Sequence, residues 1–187
     1  MTYDEWVEKA SQPDEEMGPD KPHWYFRVSG KGSEEKDVIF DELPFFKSKE
    51  NFYIVDVNDT RGINCRFGMK GNIAEAHYDS SRNFVALFGG ERRYILSHPK
   101  NCPNLALYPH RHPSGRHTAL DWSAPDLDAY PEFASAEANE VVLQAGDVLY
   151  LPTYWFHHII SLDLNWQCNA RSGVTEHYSR PIRACGL

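Results

Sequence analysis

Hydrophobic residues fall along this chain in short runs and not in long helical stripes. From about residue 50 onward the runs are four to six residues long and end at turn residues. They predict strands at 52–57 (FYIVDV), 65–69 (CRFGM), 73–78 (IAEAHY), 83–88 (NFVALF), 92–97 (RRYILS), 140–143 (EVVL), 147–151 (DVLYL), 156–161 (FHHIIS) and 165–170 (NWQCNA). An aromatic run at 23–28 (HWYFRV) reads as a further strand. The one helical segment expected is 3–10 (YDEWVEKA), with Trp6 and Val7 as its apolar contacts. Thr2 is its predicted N-cap, Glu5 stands at the capping-box position, and Pro13 closes it.

Turn signals separate the strands at Lys70-Gly71-Asn72, Gly89-Gly90 and Ala145-Gly146-Asp147. Many short strands with little helix predict a mainly β fold, a double-stranded β-helix of the jelly-roll or cupin-like kind. Residues 98–139 break the pattern, because Pro99, Pro103, Pro109, Pro113, Pro125 and Pro131 forbid regular strands. This stretch is expected to be a long irregular insertion between barrel strands, a common place for binding function. Residues 1–22 read as helix plus acidic linker, and the whole of 1–187 as one domain.

Composition narrows the class. Of 187 residues 41% are hydrophobic and 13% aromatic, which suits a packed globular core. A net charge of −8 weighs against a general nucleic-acid binder without excluding a local basic patch. No apolar run approaches the ~18 residues of a membrane span. The N-terminus lacks the basic and apolar regions of a secretory signal. Cys65, Cys102, Cys168 and Cys185 have no C-x-x-C spacing, so free thiols and an intracellular location, cytoplasmic or nuclear, are expected. The cluster Glu34-Glu35-Lys36-Asp37 reads as a solvated loop.

The strongest chemical signal is His77-Tyr78-Asp79. On an extended strand, residues i and i+2 point to one face, so an imidazole and a carboxylate converge. A second imidazole from a distant strand can complete a triangle around one metal ion. Two nitrogens and one oxygen on one side of an octahedron leave three positions open, which is the facial triad of non-haem iron(II) oxygenases. The pair His157-His158 offers the third ligand. Neighbours on a strand face opposite sides, so only one points inward, and periodicity does not choose between them. His110 and His112 form an H-x-H, but in a proline-rich loop they read as polar contacts.

The segments GNIAEAHYDSSRNFVALFGGERRYIL and GDVLYLPTYWFHHI resemble the JmjC (cupin-like) family of iron(II)- and 2-oxoglutarate-dependent dioxygenases. Within that family YPHRHPSGRHTALDWSAPDLDAYPEF and MTYDEWVEKA are nearest to the asparaginyl hydroxylase that inhibits hypoxia-inducible factor. The likeness runs from near residue 1 to about residue 173. The family frame places the distal ligand five residues after a proline, Pro152, which implies His157 with His77 and Asp79 as the catalytic metal ligands. It further implies Arg92 and Tyr25 as holders of the 2-oxoglutarate chain carboxylate, and Asn83 and Asn169 near iron and co-substrate. Arg92 stands where that hydroxylase has lysine; a guanidinium can grip a carboxylate through two parallel hydrogen bonds. Ala74 replaces a threonine donor.

For the substrate, the resemblance points to Arg116, with His117 and Arg27 standing where the asparaginyl hydroxylase has glutamines, and Arg171 in place of an aromatic residue. What it implies is a hydroxylase of a protein side chain, asparagine or similar, that yields succinate and CO₂. Two alternatives stand beside it: an RNA-nucleoside hydroxylase of the same fold, and a non-catalytic cupin-like binding domain. The family's first barrel strands and C-terminal dimerisation helices have no counterpart here, so no oligomeric state is implied.

Overall fold

The computed structural model describes residues 1–12, 21–30, 41–43, 56, 58–174 and 179–185. Helix α1 spans Tyr3–Ala10 and is fixed at its start by a reciprocal cap. The Thr2 hydroxyl accepts from the Glu5 amide at 3.2 Å, and the Glu5 carboxylate accepts from the Thr2 amide at 2.7 Å. Two orphan amides are thereby satisfied, as the S/T-x-x-E spacing requires. The helix lays Trp6 and Ala10 against Met69, with Val7, Trp24, Phe26 and Phe67 around them.

Among the described residues, nine antiparallel strands form two sheets. The first holds β1 (Tyr25–Gly30), β2 (Thr60–Gly68), β9 (Asn165–Ser172), β4 (Arg82–Gly89) and β7 (Val148–Leu151), in that order. The second holds β3 (Ile73–Tyr78), β8 (Phe156–Ser161), β5 (Glu91–Ser97) and β6 (Asn139–Gln144), in that order. Strands far apart in sequence are neighbours in both sheets, as a mainly β jelly-roll fold demands. The strand predicted at 23–28 begins two residues later, because its partner β2 ends at Gly68, opposite Tyr25. Trp24 is instead held by Met69, whose amide donates to the Trp24 carbonyl at 3.4 Å. The strand expected at 52–57 and the charge cluster at 34–37 lie largely or wholly outside the described residues, as does Pro13.

The three glycine turns behave as their residues dictate. Gly71, Gly90 and Gly146 all have positive φ, at 81°, 69° and 100°. At Gly90 a Cβ would fall 2.1 Å from the Leu164 carbonyl oxygen, so the β4–β5 turn admits no side chain. The segment between Ser97 and Asn139 carries two short 3₁₀ helices, Pro99–Asn104 and Pro131–Ser135, and no strand. Its ends are tied together: the Ser97 hydroxyl donates to the Glu137 carbonyl at 2.7 Å, and the Asn101 amide donates to both.

The barrel interior divides into a dry half and a polar half. Val85, Leu87, Tyr94, Leu143 and Leu151 pack between the sheets and close one end. Alternation along β2, β4 and β9 turns Arg66, Asn83, Asn169 and Arg171 into the other half. Behind the second sheet, Phe156, Tyr78 and Ala76 pack against Leu105, Leu120 and Trp122 of the irregular segment and Ile182 of helix α2 (Ser179–Ala184).

The expectation of free thiols is overturned. Cys65 of β2 faces Cys168 of β9 in direct register, and the two form a disulfide; Cys102 and Cys185 form a second. These partners are 103 and 83 residues apart; the first pair is set by the β2–β9 register and the second by packing of the Pro99–Asn104 turn against helix α2, neither of which local spacing reveals. Because disulfides are rare in reducing compartments, the cysteines no longer argue for an intracellular location. Among the described residues no helix is long and apolar enough to cross a membrane. Thiol titration of the denatured, unreduced protein should detect none of the 4 cysteines, and all 4 after reduction. Four reactive thiols before reduction would remove both bridges from the fold.

Candidate metal and co-substrate site

The site is built on one strand pair. In the β3–β8 ladder His77 lies directly across from His157, and their ring centroids are 4.3 Å apart. A register shift between Ala74 and His77 interrupts the ladder just upstream, the kind of local bulge that re-aims a side chain. Asp79 follows the end of β3 and is only 5% exposed. Its carbonyl accepts from the Tyr154 amide at 2.8 Å, which ties the exit of β3 to the turn entering β8. Tyr154 adopts φ 65°, an unfavourable backbone for a non-glycine residue, and so stores strain in that turn.

Both histidines are oriented in the same way. The Nδ1 of His77 lies 2.7 Å from the Glu75 carbonyl, and that of His157 lies 3.0 Å from the Trp155 carbonyl. A carbonyl can only accept, so each Nδ1 carries the proton and each Nε2 presents a lone pair. This backbone restraint on the distal nitrogen is how metal-binding imidazoles are set. One ligand atom from each of His77, Asp79 and His157 lies within 4.8 Å of the others. Burial pushes the His77 pKa down to about 3, helped by the neighbouring His157, and burial also lowers that of His157. Both therefore stand as neutral bases.

Alternation resolves the competing histidine. His158 faces the opposite side of the sheet, where its Nε2 is 3.2 Å from the Ser123 hydroxyl and its ring lies against Trp122. The same logic separates the adjacent arginines. Arg92 points inward and is 4% exposed, whereas Arg93 points outward onto Glu140.

A cavity of about 350 Å³ adjoins the histidines. Arg66, Arg92 and Arg171 line it, together with Tyr25, Asn83 and Asn169, and none of its lining residues is acidic. The Arg92 guanidinium is braced by Asn165 and lies so close to the backbone that a Cβ on Gly68 would sit 3.1 Å from its Nη2. Tyr25 is 44% exposed and stands at the rim. The Asn169 amide donates to Asn83 at 2.8 Å and accepts from Arg66, so the two asparagines form a chain headed by a cation.

Asp79 is embraced by two guanidiniums. Arg116 Nη1 is 2.9 Å from Oδ1, and Arg171 Nη2 is 2.5 Å from Oδ2. Burial works to raise the Asp79 pKa, but His157, the two arginines and His77 outweigh it and hold it below the usual carboxylate range. Oδ2 is buried, and its close partner is the Arg171 guanidinium, which a metal ion at this carboxylate would have to displace. The donor set of two imidazole nitrogens and one carboxylate oxygen fits iron(II), and an arginine-lined pocket of this size fits the dianion 2-oxoglutarate.

The sequence of the cupin-like domain matches residues 1–175. The chain belongs to the cupin-like domain family. It is 41% identical over 121 residues to tRNA wybutosine-synthesizing protein 5 of Gallus gallus, covering 64% of this chain and 34% of that one. It is 31% identical over 148 residues to lysine-specific demethylase 8 of Xenopus tropicalis, covering 75% of this chain and 32% of that one. The chain thus spans about a third of the length of these relatives. In fold it resembles the X-ray structure of E. coli ycfD, with a TM-score of 0.50, 16% identity, and coverage of 85% of this chain and 37% of that one.

The cupin-like frame accounts for where the expected residues fall. His77, Asp79 and His157 converge, and Arg92, Tyr25, Asn83 and Asn169 line one cavity. The residues expected to touch substrate divide. Arg116 is on Asp79 and on the Tyr78 carbonyl; His117 stacks on His77 with centroids 5.1 Å apart. Arg27 turns to Asn64 and Ser29 and does not line the cavity. Arg66 escaped the sequence reading. Its signal was a charge between two apolar neighbours, on the opposite face from Cys65 and Phe67.

The buried imidazoles set a pH response. A histidine whose folded pKa is depressed contributes stability above its unfolded value, and that stability is lost as pH falls. For His77 the window runs from 6.5 down to about 3. Urea unfolding of the metal-free protein should show stability declining across this window, with a shallower decline in His77→Gln. Equal slopes would place the His77 ring in a protonatable setting and contradict its burial.

Proposed function

We propose that this cupin-like chain is an iron(II)- and 2-oxoglutarate-dependent hydroxylase. The observation that carries the reading is the cluster of two Nε2 lone pairs and one buried carboxylate, whose two histidines line a cavity with a buried arginine in its wall. His77, Asp79 and His157 would hold the metal, and Arg92 the chain carboxylate of the co-substrate. When bound, iron(II) with 2-oxoglutarate and O₂ supplies oxidative decarboxylation to succinate and CO₂, coupled to hydroxylation of a C–H bond.

The chain's own part is positioning. Glu75 and Trp155 carbonyls fix the imidazole planes, and the Tyr154 amide holds the Asp79 backbone. Tyr25 stands at the rim, where its hydroxyl can supplement Arg92. Asn83 and Asn169, headed by Arg66, line the same cavity and would lie near the iron and the co-substrate. The apolar wall of Val85, Leu151 and Ile159 keeps water from the reacting region.

The substrate reading that follows from the resemblance is a protein side chain, asparagine or similar. Lysine-specific demethylase 8 is named for a protein target, which keeps that reading. The arginine-rich setting favours a second reading, an RNA nucleoside, in line with the relative named for tRNA wybutosine synthesis. Arg116, which the first reading assigns to substrate, is engaged with Asp79 instead.

Succinate release from 2-oxoglutarate with iron(II) and ascorbate tests the reaction. Wild-type protein should release succinate slowly without substrate, and Asp79→Ala should abolish both release and iron binding. Charge-assisted hydrogen bonds contribute about 1.5–3 kcal/mol, so Arg92→Met should raise the KM for 2-oxoglutarate about ten- to a hundredfold. Tyr25→Phe, losing a neutral bond, should raise it only about threefold. Absence of any turnover in iron-loaded wild type would sink the enzyme reading, and an unchanged KM in Arg92→Met would remove Arg92 from the co-substrate.

A further inference from the structure

The two oxygens of the Asp79 carboxylate have different neighbours. Oδ1 accepts from Arg116, whose Nη1 also donates to the Tyr78 carbonyl, both at 2.9 Å. Oδ2 approaches the His157 Nε2 at 3.9 Å, so it is the oxygen turned toward the second imidazole. Arg171 lies on that same oxygen, with its Nη2 at 2.5 Å. One guanidinium supports the oxygen that a metal ion can leave alone. The other covers the oxygen that a metal ion shared with His157 would take.

The two attachments also differ in strength. Arg116 has a second anchor in the Tyr78 carbonyl. Among the described residues Asp79 is the one acid paired with Arg171, and the buried Nε of Arg171 has no hydrogen-bond partner. The backbone of Arg171 is fixed, because β9 is the middle strand of its sheet and sets Arg171 opposite Asn83 of β4. Its side chain, 25% exposed, borders the cavity of about 350 Å³, where no acidic residue is in the wall. Burial lowers the Arg171 pKa and Asp79 raises it, while Arg66, Arg116 and Arg27 act on it as like charges.

A guanidinium so placed has two settings. On Asp79 it satisfies the carboxylate and itself. Once a divalent cation takes Oδ2, Arg171 loses its counter-ion and faces that cation as well as the other arginines. A partly buried charge without a partner is costly, so the side chain turns to whatever anion the cavity holds. We propose that Arg171 is a displaceable latch: it covers the metal-facing oxygen of Asp79 until a divalent cation takes it, and then passes to a carboxylate of the dianion in the adjoining cavity. Arg116 stays on Oδ1 in both settings as a positioning residue. Metal and dianion thereby strengthen each other's binding through one side chain, and by equal factors. The inference rests on the oxygenase reading for the identity of metal and dianion, but its test is binding and not turnover.

Calorimetric titration of cobalt(II) into the full chain reads the latch directly. Arg171→Gln should bind cobalt about tenfold more tightly than wild type, the worth of one charge-assisted hydrogen bond. Arg171→Met should show the same gain, whereas damage to the fold would lower affinity. Arg66→Gln and Arg116→Gln each remove the same charge without uncovering Oδ2, and each should gain less than about threefold. Glutarate, a dianion without the keto oxygen that chelates, reads the transfer of Arg171. Cobalt should raise glutarate affinity about tenfold in wild type and only about twofold in Arg171→Gln. Equal gains in every arginine variant would reduce Arg171 to one charge among several and overturn the proposal. So would a cobalt affinity unchanged or weakened in both Arg171 variants, or an equal effect of cobalt on glutarate in wild type and Arg171→Gln. Cobalt binding that ignores Arg171 removes the latch alone; failure of wild type and every variant to bind cobalt would overturn the metal site, and the oxygenase reading with it.

Discussion

The cross-strand placement of His77 against His157 is the constraint on which the rest of the site depends. Two imidazoles held directly opposite in an antiparallel ladder cannot avoid each other, and burial keeps both neutral. Neutral rings with their Nδ1 protons committed to backbone carbonyls have one remaining use for each Nε2. A one-residue slip of β8 would put His158 inward and exchange the site for a Ser123 contact, so register here is function. What sets that register is largely remote from the metal: the turn at Tyr154, the hydrogen bond to Asp79, and the packing of Phe156 and Tyr78 behind the sheet.

Charge organises the space in front of the triad. A single buried carboxylate faces two guanidiniums and two imidazoles, and further arginines line the adjoining cavity. Burying so much positive charge against one acid is costly unless an anion shares the site. A dianionic co-substrate supplies part of that compensation. A divalent metal at Asp79 would compete with Arg171 for Oδ2 and increase the surplus. The more fully the centre is loaded, the more strongly its surroundings favour anions.

Much of the fold was legible because its signals are local. Strands β3 and β8 match the predicted 73–78 and 156–161, the capping box closed as Thr2 and Glu5 required, and three glycines marked turns that demand positive φ. The His77-x-Asp79 spacing was legible for the same reason, although Asp79 lies past the strand end and not upon it. Choosing Arg92 over Arg93 and His157 over His158 needed only to know which face was inside, and alternation alone does not say. The illegible features are those that arise between distant segments. The cysteine pairs, the chain from Arg66 through Asn169 to Asn83, and the attachment of Arg116 to Asp79 each join residues on different strands or loops.

The arginines of the site acquire a common meaning from this geometry. In the fold Arg92 and Arg171 share one cavity with Arg66, while Arg116 reaches Asp79 from the irregular segment. Guanidiniums tolerate burial better than ammonium groups because they hydrate weakly and spread their charge over five donors. A site that concentrates them beside a metal centre can select its ligands by charge before it selects them by shape.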